Sequence, residues 1–161
     1  INGLAAPDGR IFITRGFYKK YQDGEITVDE IASVVAHELG HVALGHIRRR
    51  MIDFSGQNAV RAALGAVLSR LVPGLGGFIA GIIGNLLMAK LSRRDEYEAD
   101  EYASALLIKS GIGVEPQISM FKKLEKISNM QGSVPAWMMS HPPTHKRIES
   151  IKINHAKIYN R

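Results

Sequence analysis

Cysteine is absent from this chain of 161 residues. A zinc site built from thiolates and a cysteine nucleophile are therefore excluded. Charge of one sign is not concentrated either: the formal net charge is +6, but the lysines and arginines are spread along the chain rather than gathered in a stripe. That distribution argues against nucleic acid as a partner.

The first residues, INGLAAPDGRIF, lack the charged and apolar regions of a signal peptide, and the chain does not begin with methionine. We therefore expect a fragment that lacks an N-terminal signal and its leading residues. The composition, with 45% apolar and 22% charged residues, is that of a globular protein. Its length suits a single domain over residues 1–161.

The N-terminal part predicts a turn, a short strand and then a long helix. The turn residues Pro7–Gly9 precede the apolar run RIFITR, which is typical of an edge strand or a hairpin. Thr27 and Glu30 have the spacing of a capping box, so a helix is predicted to begin near Val28. Its apolar residues continue to about Arg49, where we expect it to end.

The C-terminal part predicts three further helices. One is expected over Arg93–Ser110, because Gly111 follows it, and Pro116 suits the first turn of the next. Residues 130–143 are expected to form a loop, and a last helix is expected to be capped by Thr144.

The segment His37-Glu38-Leu39-Gly40-His41 has the pattern HExxH on the first long helix. Its two imidazoles lie one helical turn apart on the same face, so their nitrogens can converge on one zinc ion. Glu38 lies beside them, where it can hold a water and take its proton. The pattern alone is a weak signal, and a third ligand is needed.

One known pattern would place that third ligand on the same helix, with glycine at position 44 and histidine at position 47. The chain has Leu44 and Ile47 there, while Gly45 and His46 miss the register by one. Leu44 and Ile47 also favour continuation of the helix where that pattern would turn it. His46 is therefore interpreted as a polar residue near the helix end rather than a ligand.

A glutamate on a second helix is the other solution, and RRDEYEADEYASALL supplies the candidates. If Ala103 and Leu107 mark the centre of the apolar face, Glu96 and Asp100 fall within about 60° of it. A carboxylate on a buried face must be paired or bound to a metal. Glu96 is therefore the predicted third ligand, and Asp100 the predicted acceptor that orients a ligand imidazole.

Two histidines and one glutamate leave the fourth zinc position open for water, which is the catalytic rather than the structural arrangement. The sequence thus predicts one Zn²⁺ per chain, with Glu38 as general base, and hydrolysis of a peptide bond.

Residues 55–91 are small, apolar and glycine-rich, and the nineteen residues 71–89 include no charge. That length could span a membrane. A single crossing would separate the metal ligands that lie on its two sides, so we favour a packed apolar helical hairpin. Contact of the 71–89 hairpin with a membrane surface or an envelope protein, and a membrane span, are the alternatives.

Four motifs occur in one order: INGLAAPDGRIFITRG, VVAHELGHVALGH, SRRDEYEAD and SHPPTHKRI. With them the chain resembles the gluzincin peptidases that include HtpX, the mitochondrial Oma protease and the CAAX prenyl proteases. It most resembles their soluble envelope branch of the BepA and LoiP type. The resemblance implies an α+β, mainly helical, zincin-like metalloprotease domain with a small edge sheet, and it implies the same zinc ligands, base and supporting aspartate.

The resemblance also implies roles that the spacing does not show. His141 would lie near the active site, where it either donates to the oxyanion or caps the zinc in a latent form. Arg147 would brace the site through its carboxylates. An extended substrate would add as a further strand along Ile11–Thr14.

The function implied is a zinc-dependent endopeptidase of the bacterial periplasm or cell envelope, acting on extended or unfolded chains of misfolded or unassembled envelope proteins. The alternative is a latent, zinc-plugged assembly factor or holdase with little peptidase activity, for which the apolar hairpin is the binding surface.

Overall fold

The computed structural model describes residues 2–6, 8–49, 93–132, 134–142 and 145–159, together with positions 52, 55, 56 and 59. The chain forms two compact units, Ile1–Leu44 with Glu96–Arg161, and Gly45–Asp95. In the second unit residues 46–49 are helical. The apolar hairpin predicted within 55–91 lies almost wholly outside the described residues.

The other described residues include six helices and two strands, joined by turns and loops. The strands are β1 (Gly3–Ala5) and β2 (Ile11–Ile13), and the helices are α1 (Arg15–Gln22), α2 (Val28–Ala43), α3 (residues 93–109), α4 (Glu115–Gln131), α5 (Ala136–Ser140) and α6 (His145–Tyr159). The prediction of a mainly helical α+β fold with a small sheet is confirmed. None of the described helices has both the length and the apolar character that a membrane crossing requires.

The two strands form an antiparallel hairpin in which Leu4 pairs with Phe12. The predicted turn lies between them, and Gly9 adopts a positive φ of 89°, a conformation that glycine favours. β1 packs directly on α2: a Cβ at Gly3 would lie only 2.9 Å from Cγ1 of Val34. The hairpin is thereby fixed to the helix that carries HExxH.

Helix α1 follows β2 without a loop and has no counterpart in the sequence analysis. Its N-cap residue, Thr14, makes no side-chain capping hydrogen bond to the helix. Phe17 is its one fully buried residue, so no apolar stripe marks the helix in the sequence. Phe17 packs into the main core.

Helix α2 begins as predicted, with a complete capping box between Thr27 and Glu30. Its predicted end near Arg49 is wrong, because the helix stops at Ala43. Gly45 then adopts a positive φ of 69°. A glycine in this left-handed conformation is a common helix terminator, and it outweighs the helical tendency of Leu44 that the prediction relied on.

The main core gathers apolar side chains from α1, α2, α4, α5 and α6. Its buried members are Phe17, Ile26, Val34, Val114, Met120, Phe121, Leu124, Trp137 and Ile151. Helix α4 has proline in its first turn, as predicted, and ends at Gly132 with φ 61°. Helix α3 ends before Gly111, also as predicted.

The predicted loop at 130–143 contains the short helix α5 instead. Five residues are too few for a helical period to show in the sequence, and Pro135 at the N-cap offers no side-chain capping signal. The predicted cap of α6, Thr144, lies outside the described residues.

Glu30 ties the start of α2 to α4. Its Oε1 accepts a hydrogen bond from Ser119 Oγ at 2.6 Å, and its Oε2 accepts from Lys123 Nζ and from the Thr27 backbone N–H, both at 2.8 Å. The residue is only 3% exposed. Burial opposes ionisation, but the hydrogen bonds from Lys123, Ser119 and Thr27 outweigh it and hold the pKa of Glu30 below 4.5.

This network predicts that Glu30→Gln lowers the free energy of unfolding by about 1–3 kcal/mol at neutral pH. Because the folded state holds the pKa of Glu30 below 4.5, its contribution is fully present above pH 4.5 and is lost as pH falls through the lowered value. The difference between parent and variant, measured by urea unfolding at several pH values, should therefore shrink in acid.

Glu25→Gln is the matched control, because Glu25 pairs with Lys20 at 2.7 Å on an exposed surface, with 46% of the Glu25 side chain accessible. Such a pair contributes less than about 1 kcal/mol. Equal losses in the two variants, or a loss at Glu30 that does not change with pH, would contradict the assignment.

Candidate metal centre

Helix α2 presents His37, Glu38 and His41, each 2% exposed. The i and i+4 spacing brings the two imidazoles together, and their Nε2 atoms lie 3.1 Å apart. The rings meet edge to face, with centroids 4.8 Å apart. Both nitrogens therefore face the same small, buried space.

Helix α3 adds Glu96 to the same space. Its Oε2 lies 3.3 Å from Nε2 of His37, and its Oε1 lies 3.3 Å from Nε2 of His41. The carboxylate thus faces both imidazoles, although 54 residues separate Glu96 from His41 and 58 separate it from His37 in the numbering. The sequence analysis predicted Glu96 as the third ligand beside His37 and His41, and the structure brings the three side chains together.

His141, the C-cap residue of α5, completes the cluster. Its Nδ1 lies 2.9 Å from both oxygens of Glu96 and 3.3 Å from Nε2 of His37. His37, His41, Glu96 and His141 each offer one ligand atom, and these atoms all lie within 4.8 Å of one another. All four residues are buried.

The donor set and its spacing fit a zinc ion. Four ligands at about 2.0–2.1 Å from zinc in a tetrahedron are separated from one another by about 3.3 Å. The distances of 3.1 Å between the two Nε2 atoms and 3.3 Å from each of them to Glu96 match that separation. Imidazole nitrogens and a carboxylate are also the ligands that zinc takes in proteins lacking cysteine.

Asp100 determines which nitrogen of His37 can bind a metal. Its Oδ1 lies 3.0 Å from Nδ1 of His37, so Nδ1 carries a proton and donates a hydrogen bond to the carboxylate. The lone pair of Nε2 is then directed into the cluster, as metal-binding histidines require. Asp100 is 0% exposed, in agreement with its predicted place on the buried face.

Arg147, on α6, binds two carboxylates of α3, those of Asp100 and Glu96. Its Nε donates to Asp100 Oδ2 at 2.6 Å, and another guanidinium nitrogen donates to Asp100 Oδ1 at 2.8 Å. A third nitrogen lies 3.1 Å from Glu96 Oε2 and also donates to the carbonyl of Pro142 at 3.0 Å. The guanidinium stacks over Phe121 at 4.7 Å, which fixes its plane.

The two ligand imidazoles differ in electrostatics. Burial lowers the pKa of His37, but hydrogen bonds to Asp100 and Glu96 outweigh it and raise the pKa to about 9. Burial dominates at His41, where the nearby charge of His37 acts in the same direction and the pKa falls to about 4. A metal ion must therefore displace a proton from His37, and its binding weakens as pH falls.

The carboxylates stay ionised despite their burial. Desolvation would raise the pKa of Glu96, but hydrogen bonds from His141, His37 and His41 hold it well below the usual range. The same opposition holds at Asp100, where Arg147 and His37 lower the pKa. Ionised oxygens are the form in which a carboxylate binds a cation or accepts a proton.

The remaining candidates lie outside the four-residue cluster. His46 is 0% exposed, and its Nε2 lies 3.9 Å from Asp95 Oδ1 in the second unit. On α3, Glu98 is half-buried and Glu101 is exposed.

Trp137 is a residue that the sequence analysis left in a loop. Its indole Nε1 donates a hydrogen bond to Oε1 of Glu38 at 3.0 Å, and the same oxygen lies 3.4 Å from Nε2 of His141. The signal available in the sequence was its position four residues before His141, which places both residues on one face if the segment is helical.

Comparison with known proteins identifies relatives for almost the whole chain. The profile of peptidase family M48 matches residues 1–154. The metalloprotease LoiP of Escherichia coli (strain K12) is 33% identical over 153 residues, covering 94% of this chain and 58% of LoiP. The metalloprotease YcaL of the same organism is 31% identical over 156 residues, covering 94% of this chain and 57% of YcaL.

The beta-barrel assembly-enhancing protease of Escherichia coli (strain K12) is 26% identical over 155 residues, covering 92% of this chain and 31% of that protein. The chain therefore spans little more than half of LoiP and YcaL, and about a third of the third relative. No solved structure gives a significant match.

The contact between α2 and α3 generates a prediction at Gly40. A Cβ there would lie 3.0 Å from both Cα and O of Ala99, and 3.3 Å from Cβ of Tyr102. We expect Gly40→Ala to separate the two helices, to cost about 1–3 kcal/mol of unfolding free energy and to weaken zinc binding. Urea unfolding and a zinc titration measure the two effects.

The direction in which Gly40→Ala changes the free energy of unfolding shows whether the two helices depend on their close approach at residue 40. Alanine in an uncrowded helix stabilises by roughly 0.5–1 kcal/mol relative to glycine. A more stable variant with unchanged zinc affinity would show that the helices do not depend on this close approach.

Proposed function

The chain belongs to peptidase family M48, and we propose that it is a zinc-dependent endopeptidase that hydrolyses peptide bonds. The observation that carries the proposal is the buried meeting of His37, His41 and Glu96, at the separations of zinc ligands, with Glu38 next to them. The names of the relatives, LoiP and YcaL, describe metalloproteases.

In this proposal His37, His41 and Glu96 hold the metal. A zinc ion held there would supply Lewis-acid polarisation of the scissile carbonyl and would lower the pKa of a bound water. Glu38 accepts the proton from the attacking water on its carboxylate and later delivers it to the leaving amine nitrogen. A binding module would have no use for an ionisable group at this position.

Asp100 and Arg147 support this chemistry without touching the substrate. Asp100 accepts a hydrogen bond from Nδ1–H of His37 and so keeps Nε2 available as a ligand. Arg147 neutralises part of the negative charge on Asp100 and Glu96 in a region closed to water.

For the substrate we propose extended or unfolded polypeptide, from misfolded or unassembled proteins of the bacterial periplasm or cell envelope. The support is the resemblance to the envelope branch, together with the name of the beta-barrel assembly-enhancing protease. The substrate would add as a strand along β2, which pairs with β1 through the register of Leu4 with Phe12. Contact of residues 71–89 with a membrane surface or an envelope protein stays the alternative to a packed hairpin.

A second function is favoured by His141. Its Nδ1 lies 3.3 Å from His37 Nε2, and the ligand atoms of His141, His37, His41 and Glu96 all lie within 4.8 Å of one another. A closed set of four ligands describes a latent, zinc-plugged form that acts as an assembly factor or holdase. In an open form the same imidazole would donate to the oxyanion of the transition state.

The first experiment compares Glu38→Gln with the parent on casein and on an unfolded outer-membrane protein. We expect the rate to fall by about 10²- to 10⁴-fold because the general base is lost, while the zinc content is unchanged. Glu101→Gln, which alters an exposed carboxylate on α3, is the control and should retain full activity. If the parent cleaves these substrates and Glu38→Gln cleaves them as fast, the enzymatic proposal fails.

The second experiment removes the imidazole of His141. If His141 occupies the fourth ligand position, His141→Ala should retain zinc and cleave faster than the parent, and this is the result we expect from its distances to Glu96 and His37. A fall of about 10²- to 10³-fold with zinc retained would instead assign His141 to the oxyanion. The Glu38→Gln comparison is repeated in the His141→Ala background, because a latent parent would have too little activity to reveal the loss of the general base.

A further inference from the structure

We infer that Trp137 is a positioning residue for the general base: its indole N–H holds one oxygen of Glu38 and leaves the other to take the proton. The inference rests on the proposed function, because it assigns a partner to the base of that reaction. Trp137 is the only tryptophan in the chain.

Trp137 and Glu38 form a direct hydrogen bond in which the indole can only be the donor. Trp137 Nε1 lies 3.0 Å from Glu38 Oε1, and an indole N–H can only donate. Trp137 is 1% exposed and Glu38 is 2% exposed, so water does not compete for the bond. A hydrogen bond to a charged acceptor in such surroundings is among the stronger ones.

The indole is held on several sides. Its ring lies 5.6 Å from the Phe121 ring and meets the His37 ring edge to face at 5.6 Å. It lies 5.2 Å from the His141 ring, and a Cβ on Gly3 of β1 would be 3.9 Å from its Cδ1. A ring packed in this way cannot turn its N–H away from Glu38 without moving its neighbours.

The two oxygens of Glu38 are thereby made unequal. Trp137 and His141 both approach Oε1, whereas the hydrogen bonds found among the described residues do not include Oε2. When the O–H bond of the attacking water breaks, its oxygen bonds the substrate carbon and its proton is accepted at Oε2. A carboxylate with one oxygen fixed presents the other in a constant direction, which favours a repeated proton transfer.

A purely structural role makes a different prediction. Trp137 belongs to the main core, and a buried indole N–H needs an acceptor whether or not that acceptor takes part in catalysis. In that case, loss of the N–H would affect folding stability and leave turnover unchanged. The experiment must therefore separate kcat from stability.

The test replaces the indole at position 137 while preserving its shape. Because Trp137 is the only tryptophan, 5-fluorotryptophan supplied in growth replaces it alone and keeps the N–H. Benzothienylalanine, introduced at the same codon, substitutes sulfur for the N–H, and Trp137→Phe removes the N–H by ordinary mutagenesis. We expect kcat to fall roughly 10- to 100-fold for the two changes that lack the donor, with KM and zinc content unchanged.

The fluorinated protein should keep kcat within about twofold, because its donor is intact. If benzothienylalanine leaves kcat unchanged in a chain whose parent cleaves substrate, the inference is wrong while the proposed function stands. If the zinc-loaded parent and its His141→Ala variant both cleave nothing, the proposed function fails and the inference fails with it.

A spectroscopic measurement tests the contact without turnover. The ¹⁵N-labelled chain has one indole N–H cross-peak, and Glu38→Gln should move it because a charged acceptor is replaced by a neutral one. Glu101→Gln, on the exposed side of α3, should leave it in place. A cross-peak that does not respond to Glu38→Gln would overturn the inference directly.

Discussion

The structure depends on the buried meeting of two imidazoles and a carboxylate that lie far apart in the sequence. Two imidazole nitrogens 3.1 Å apart face a carboxylate at 3.3 Å, in a space closed to water. Arg147 donates to Asp100 and Glu96 and balances part of their negative charge. Buried charges require partners, and in our proposal a zinc ion would be the partner of the two imidazoles and Glu96.

The fold can be understood as the means of holding these groups in place. Helices α2 and α3 approach closely because residue 40 has no side chain, and this brings HExxH to the distal glutamate. Arg147 reaches the site from α6, and Trp137 and His141 reach it from the two ends of α5. His141 directly follows α5, and Trp137 of α5 belongs to the main core, so the packing of apolar residues and the geometry of the cluster are linked.

Much of the fold and of the candidate site could be predicted, because local sequence patterns determine it. The capping box fixes the start of α2, the i and i+4 spacing fixes the two imidazoles, and the angular position around α3 selects Glu96 and Asp100 from five acidic residues. The failures have physical causes as well. Gly45 ends α2 because it adopts a left-handed conformation, which the prediction of a longer helix did not take into account. Helices α1 and α5 are too short for a helical period of apolar residues to show in the sequence. The Trp137 contact with Glu38 joins residues 99 apart and is produced by tertiary packing, which a local pattern does not encode. Membership of a metallopeptidase family agrees with the resemblance of the four motifs.

Zinc K-edge X-ray absorption on the purified chain tests the central claim most directly, because it reports which atoms bind the metal and how far away they are. The account predicts one zinc per chain, surrounded only by nitrogen and oxygen at about 2.0–2.1 Å, and loss of this spectrum in Glu96→Ala. A chain that binds no zinc when it is offered, or an unchanged spectrum in Glu96→Ala, would contradict it.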